Sequence, residues 1–315
     1  MRYISELWED NRQILLRDGS FIIPVDREAK SKYRINILAL GDVGSMVLIG
    51  LRVMGGDICS AIGIRDISGE VMDRYIHEIN QITMPEDYAT FPPVGIARDL
   101  FDCDVFLFCA SRGVPPLDKV VEDVRMAQLH ANRSLIETYA KEAVEKEFTG
   151  DFFVVSDPVD QLCKAALDCG LSPGQVHGFG LGVMNARAAF YDESGVYAKE
   201  GRVYGPHGED LVVANSVFSY DHDISTELSK KTVEANLMVR ALGFKPFIAP
   251  AFSSGAISVL ELLRGHRHYS SLYFGGAFLG VMNWRTQEDD EVENIPLDPA
   301  LFERIQHSYR RLKEV

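Results

Sequence analysis

Long apolar runs are missing from this chain of 315 residues. The longest wholly apolar stretches, such as Val105-Phe106-Leu107-Phe108-Cys109-Ala110, are far too short to cross a bilayer. The opening residues, MRYISELWED, hold no apolar core of a signal peptide. Basic charge is in deficit, with 32 Lys and Arg against 46 Asp and Glu, a formal net charge of -14 and a pI near 5.0. Such a surface repels nucleic acid and anionic lipid, so neither is expected as a partner. A small anionic substrate stays possible, because a pocket can be locally positive. Cysteine is scarce and odd in number: Cys59, Cys103, Cys109, Cys163 and Cys169. None stands in a close Cys/His spacing, so no metal site is expected. Several lie in apolar runs and read as buried free thiols in a reducing cytosol, which makes the expected location cytoplasmic. Internal repeats and low-complexity segments are absent too.

What is present is an alternation of short apolar runs and helical spacing. Residues 35–40 read as a buried strand and 45–54 as a helix stopped by Gly55-Gly56. A second strand covers 58–64 and a helix 71–82. Residues 83–95 carry three prolines and read as loop. Continuous apolar character at 105–109 predicts a central parallel strand. A loop over 110–118 follows, with Gly113 and Pro115-Pro116, then helices near 119–130 and 132–147, then a buried strand at 152–155. This order implies right-handed βαβ crossovers and a doubly wound parallel sheet. Beyond about residue 170, glycine-rich turns, short strands and helices near 224–242 and 254–264 suggest an α+β half. The acidic run 288–293 reads as a solvated loop. Asp298 and Pro299 open a final helix as cap and first residue.

Between the first strand and its helix stands Ala39-Leu40-Gly41-Asp42-Val43-Gly44. This is an A-x-G-x-x-G form of the dinucleotide-binding fingerprint. Gly41 lets the backbone approach a pyrophosphate, and Gly44 lets helix and strand pack closely. The helix N-terminus offers N–H groups and a positive dipole end. Asp66 closes the second strand, 22 residues beyond Gly44. A carboxylate there can accept from both ribose hydroxyls and repels a 2′-phosphate, which favours NAD over NADP. The neighbouring Arg65 keeps NADP open.

Four further segments resemble the lactate/malate dehydrogenase family. Arg125 to Asn132 is similar to its R-x-x-L-x-x-x-N stretch, with Gln128 at the usual apolar place. Val154-Val155-Ser156-Asp157-Pro158-Val159-Asp160 resembles its V-V-S-N-P-V-D, and Gly178 to Arg187 its G-x-G-T-x-L-D-x-x-R. Gly205-Pro206-His207-Gly208 resembles its G-E-H-G. Residues 245–263, with Ala249-Pro250-Ala251, resemble the entry to a late helix of malate dehydrogenases. The resemblance implies an N-terminal arm at 1–32, a Rossmann dinucleotide domain at 33–165 and an α+β substrate domain at 166–315. It implies hydride transfer between a nicotinamide and the C2 carbon of a 2-hydroxy or 2-oxo acid. His207 would be the acid/base, Arg187 the grip on the substrate carboxylate, and Arg125 the loop arginine that polarises the carbonyl. Asp42, Val43, Ala110, Asn132 and Ser156 would join Gly41, Gly44 and Asp66 around NAD. A homodimer or homotetramer is usual in the family. The family's specificity residue lies in the loop over 111–124, where Arg112 and Lys119 are alternatives.

Two positions depart from the family pattern. The carboxylate partner of the histidine belongs three residues before Arg187, and Met184 stands there. A one-residue slip would supply only the amide of Asn185. Asp157 replaces the family's strand-end asparagine, and so joins His207 and Arg125 as a candidate catalytic residue. A carboxylate there repels an anionic substrate by roughly 4 kcal/mol at ~4 Å and an effective dielectric constant near 20. It is also placed to pair with a protonated His207 and stand in for the carboxylate missing at Met184. Two readings follow: an active oxidoreductase with a rebuilt dyad, or an NAD(H)-binding protein of the same fold with little turnover. A metal- and NAD-dependent glycosidase would need a metal arrangement that the sequence does not show.

Overall fold

The computed structural model describes residues 1–25, 27–112 and 124–314, with the backbone alone for 124–128. A 3-10 turn at Ile4–Leu7 leads into a hairpin of β1 (Leu15–Arg17) and β2 (Ser20–Ile23). The alternating half follows: β3 (Tyr33–Leu38), α1 (Asp42–Met54), β4 (Cys59–Arg65), α2 (Gly69–Ile79), β5 (Val94–Ile96), β6 (Val105–Phe108), α3 (Val124–Glu145), β7 (Asp151–Val154), α4 (Val159–Asp168) and β8 (Val176–Gly178). After it come α5 (Leu181–Tyr191), α6 (Tyr197–Glu200), β9 (Arg202–Tyr204), β10 (Val212–Ala214) and α7 (His222–Ala241). A π-helical stretch, Pro250–Ile257, runs into α8 (Ser258–Leu263), and β11 (His268–Tyr273), β12 (Phe278–Arg285), β13 (Asp290–Glu293) and α9 (Pro299–Lys313) complete the fold.

Among the described residues the strands form one eleven-stranded sheet, ordered β1-β2-β13-β12-β11-β8-β7-β6-β3-β4-β5, and a separate β9–β10 pair. The six strands from β8 to β5 are parallel and follow the doubly wound order of a dinucleotide fold. Beyond β8 the sheet turns antiparallel, joined through Ser271 of β11 opposite Gly178. β6 reads VFLF and is buried on both faces, as a strand covered by helices on each side must be. One face packs Val47, Leu48 and Leu51 of α1 against Ile35, Ile37 and Leu107. The other packs Ile136, Ala140 and Ala143 of α3 against Phe106, Phe108 and Phe152. Each of the Val, Leu, Ile and Phe side chains contributes about 1.5–3 kcal/mol on burial.

Several expectations need correction. α3 is one helix through 124–145, where a break had been expected near residue 131. The stretch near 254–264 begins as π-helix already at Pro250. The acidic run is a solvated loop only at Glu288-Asp289: Asp290–Glu293 is strand β13 and is buried. The physical reason lies in distant partners. Arg27 Nη1 donates to Asp290 at 2.8 Å, His177 Nε2 lies 3.1 Å from the same carboxylate, and Arg202 grips Glu293 at 2.6 and 2.9 Å. Burial alone would raise the Asp290 pKa, but Arg27, His177 and Arg285 hold it well below the carboxylate range.

His268 sits in the same polar interior. Burial pushes its pKa down from 6.5 to about 3. Its Nδ1 donates to the His266 carbonyl at 3.1 Å, and its Nε2 accepts from the Ser270 hydroxyl at 3.0 Å. As pH falls below 6.5 the unfolded chain takes up this proton and the folded chain refuses it, so stability is lost by about 1.4 kcal/mol per pH unit until pH nears 3. His268→Gln should remove that slope. Urea unfolding followed from pH 7 to pH 4 measures it, and parallel curves for the two proteins would refute the assignment.

Candidate active site at the sheet switch point

β3 and β6 are neighbours in the sheet, yet the chain leaves them toward opposite edges. Their C-terminal ends therefore open a crevice, the place where folds of this order hold ligands. The glycine loop lies on one side. Ala39 adopts φ 73°, the left-handed conformation usually given to glycine, and its N–H donates to Arg65 O at 2.7 Å. A Cβ on Gly44 would stand 2.0 Å from Ala39 O, so only glycine lets α1 approach this closely. A Cβ on Gly41 would meet no atom within 4 Å, and no side chain caps α1. Val43 packs on the core, and Asp42 faces outward in an ion pair with Lys245 at 2.9 Å. The Asp66 carboxylate accepts from Leu40 N at 2.7 Å and Ser68 N at 3.0 Å. It thus ties the loop to β4, and each oxygen retains lone-pair capacity for a further donor.

The opposite wall is laced by three of the expected residues. Ser156 donates to Ala110 O at 2.8 Å. Asn132, buried in α3, donates to Asp157 O at 2.8 Å and accepts from Arg112 N at 2.9 Å. Arg125 falls in the first turn of α3, and its side chain lies outside the described residues, as does Lys119.

His207 reaches this wall from the second half of the chain. After β9, Gly205 N donates to Gly280 O of β12 at 3.0 Å, which fixes the turn that carries it. A Cβ on Gly180 would lie 2.6 Å from His207 Cβ, so the glycine before α5 lets the imidazole seat there. His207 Nδ1 stands 2.9 Å from Asp157 Oδ1. The histidine side chain is 13% exposed and the aspartate 48%.

Arg187 projects from α5. One turn earlier, Met184 is 1% exposed and belongs to a cluster with Leu181, Val183 and Tyr197. Its position carries no carboxylate, and Asn185 is no substitute because its Oδ1 accepts from Tyr197 OH at 2.9 Å. Arg187 Nη1 lies 3.6 Å from Met184 Sδ, and Nη2 donates to Asn236 Oδ1 of α7. Both atoms are neutral. Burial holds the guanidinium below its usual range, and the fields of Tyr191 and Asp157 oppose that shift. The buried Arg52 makes an instructive contrast, since the carbonyls of Ile79, Ile82 and Pro92 take its donors. Among the described residues Arg187 has no such set of carbonyls. Sequence reasoning missed Asn236, since it lies 49 residues from Arg187 and no spacing rule links α5 to α7.

Comparison with known proteins shows what the chain is similar to. No protein-family model matches the chain. The L-lactate dehydrogenases of Mesomycoplasma hyopneumoniae and Treponema denticola are 27% and 28% identical over 198 and 199 residues. Those matches cover 58% and 60% of this chain and span 58% and 59% of the two enzymes' lengths. The L-lactate dehydrogenase of Corynebacterium jeikeium is 23% identical over 314 residues, 90% of this chain and 93% of that protein. Among solved structures, the minor L-lactate dehydrogenase from Enterococcus mundtii superposes with a TM-score of 0.74 at 18% identity, covering 90% of this chain and 98% of that one. The malate dehydrogenase from Archaeoglobus fulgidus, in complex with NADH, gives 0.70 at 19%, covering 89% and 97%. The chain is similar in sequence to L-lactate dehydrogenases and shares the fold of lactate and malate dehydrogenases.

The two glycines of the loop separate packing from ligand binding. Gly44→Ala should cost about 1–3 kcal/mol, because the new methyl meets backbone. Gly41→Ala should leave stability within about 0.5 kcal/mol and weaken NADH binding, because its methyl enters the space for phosphate. Thermal unfolding and NADH titration of both variants decide it. Unchanged NADH affinity in Gly41→Ala would remove the pyrophosphate from this loop.

Proposed function

We propose that the chain is an NAD-dependent oxidoreductase acting on 2-hydroxy and 2-oxo carboxylic acids, with a dyad rebuilt from His207 and Asp157. The contact of 2.9 Å between His207 Nδ1 and Asp157 Oδ1 carries the reading. Donation from Nδ1 to Asp157 fixes one tautomer and leaves proton exchange with the substrate oxygen to Nε2. The carboxylate also stabilises the imidazolium, the work that the residue at Met184 cannot do. Arg187 grips the substrate carboxylate, and its neutral surroundings favour that role. Arg125 is assigned the polarising part on resemblance alone.

The residues present fit the dinucleotide. Gly41 leaves room at an uncapped helix N-terminus, and Asp66 retains acceptor capacity for ribose hydroxyls. Ala110, Asn132 and Ser156 would line the nicotinamide end, with Asp42 and Val43 on the loop. When bound, the nicotinamide supplies a hydride to C2 of the 2-oxo acid or receives one from the 2-hydroxy acid. The division into a dinucleotide domain at 33–165 and a substrate domain at 166–315 forms part of this proposal. So does a homodimer or homotetramer, for which sedimentation is the measurement. Five free cysteines accord with a reducing cytoplasm. Among the described residues, no helix is long and apolar enough to cross a membrane.

A second reading, an NAD(H)-binding protein without appreciable turnover, draws on the burial of Met184 among apolar side chains. A double-mutant cycle separates the two. Asp157→Asn should lower kcat/KM on pyruvate, oxaloacetate or a bulkier 2-oxo acid by on the order of 10²–10⁴. Adding Met184→Asp should recover part of the loss, with strong non-additivity, since both changes act on one imidazole. Simple summation of the two effects would show that Asp157 does not serve His207. A wild type that binds NADH and turns over none of these acids would establish the second reading.

A further inference from the structure

Arg187 is held by an amide rather than a carboxylate, and this has a functional consequence. A guanidinium has donors only, so the group facing Nη2 must be the carbonyl oxygen of Asn236. That orientation turns the amide nitrogen away from Arg187 and leaves its two N–H bonds without a protein acceptor among the described residues. The guanidinium is meanwhile lodged between Met184 Sδ on its own helix and Asn236 on α7. Neither neighbour reduces its charge. An aspartate at 236 would make the same contact and neutralise Arg187, and a leucine would leave the arginine free to turn.

We propose that Asn236 is the second residue of the substrate-carboxylate clamp: it positions Arg187 without neutralising it and presents its own amide N–H to the same carboxylate. The inference rests on the oxidoreductase reading for the identity of the substrate. The specificity it confers is for a monoanionic 2-oxo carboxylate over its neutral amide. Two neutral donors and one fixed cation suit a planar carboxylate, whereas an uncharged amide gains little from Arg187. Asn236 is a positioning residue toward Arg187 and a binding residue toward the substrate.

The test uses oxamate, an unreactive isostere of a 2-oxo acid, and its neutral diamide oxamide, each titrated against the NADH-loaded full chain. Asn236→Asp should hold or raise the melting temperature, because it turns the Arg187 contact into an ion pair. The same change should weaken oxamate about tenfold or more, leave NADH affinity unchanged, and erase the preference for oxamate over oxamide. Asn236→Ala should weaken oxamate by roughly three- to tenfold and raise KM for pyruvate more than it lowers kcat. A purely structural hydrogen bond predicts otherwise for Asn236→Ala: a lower melting temperature with oxamate affinity and KM for pyruvate intact. Oxamate binding within twofold of wild type in Asn236→Ala therefore overturns the role of Asn236. If wild type itself binds NADH but neither oxamate nor pyruvate, the substrate reading fails first, and the clamp falls with it.

Discussion

The close approach of two backbones, Gly205 against Gly280, decides where the acid/base candidate stands. Gly205 N reaches Gly280 O at 3.0 Å, and a Cβ on Gly280 would sit 2.4 Å from Gly205 O. Gly205 has φ 95°, and a Cβ there would press on Ser308 of α9. β12, held in the antiparallel half of the sheet, thus sets the height of the turn that bears His207. Gly180 sets its lateral position by letting the imidazole carbon pack on bare backbone. Asp157 comes from the end of the parallel half. The pair exists because the seam between β8 and β11 makes both halves one sheet, so that a residue at 207 and one at 157 share a frame.

Charge placement distinguishes this site from the pattern it resembles. Three buried carboxylates elsewhere are met by cations: Asp151 by Arg285, Asp290 by Arg27, Glu293 by Arg202. Such pairs satisfy groups that burial would otherwise penalise. At the crevice the rule is inverted, since the cation Arg187 is partly buried and its hydrogen-bond contacts are neutral. A cation whose hydrogen-bond contacts are neutral accords with the proposed binding role more than with a structural one.

Much of this was legible before the structure, for reasons that are local. The strands at 35–40 and 105–109 announce themselves by continuous apolar character, and the glycine loop by its place between strand and helix. The helix cap at Asp298 was equally plain, and its side chain accepts from Ala300 N. The replacement at Met184 and the possible compensation by Asp157 were visible because the motifs fix spacing. What stayed hidden depends on contacts across the chain. β13 looked like solvated acid because its partners sit at 27, 177 and 202. The β1–β2 hairpin lay within what read as an arm, since its pairing with β13 is more than 250 residues away. Asn236 carried no signal at all, because a lone amide in a helix is silent until its neighbour is known.

Moving the carboxylate from the helix position at 184 to the strand end at 157 keeps the charge count and alters its geometry. In the proposed reaction a protonated His207, Asp157 and Arg187 sum to one positive charge, which a 2-oxo monoanion cancels. With a neutral His207 the same three groups sum to zero, and the anion adds an unbalanced charge. Because Asp157 stands on the strand end where the substrate oxygen is expected, this difference acts at short range. Full repulsion would be roughly 4 kcal/mol at ~4 Å and an effective dielectric constant near 20. Asp157 is 48% exposed, so water screens part of it, and in the proposed reaction a proton on His207, whose Nδ1 lies 2.9 Å away, would offset more.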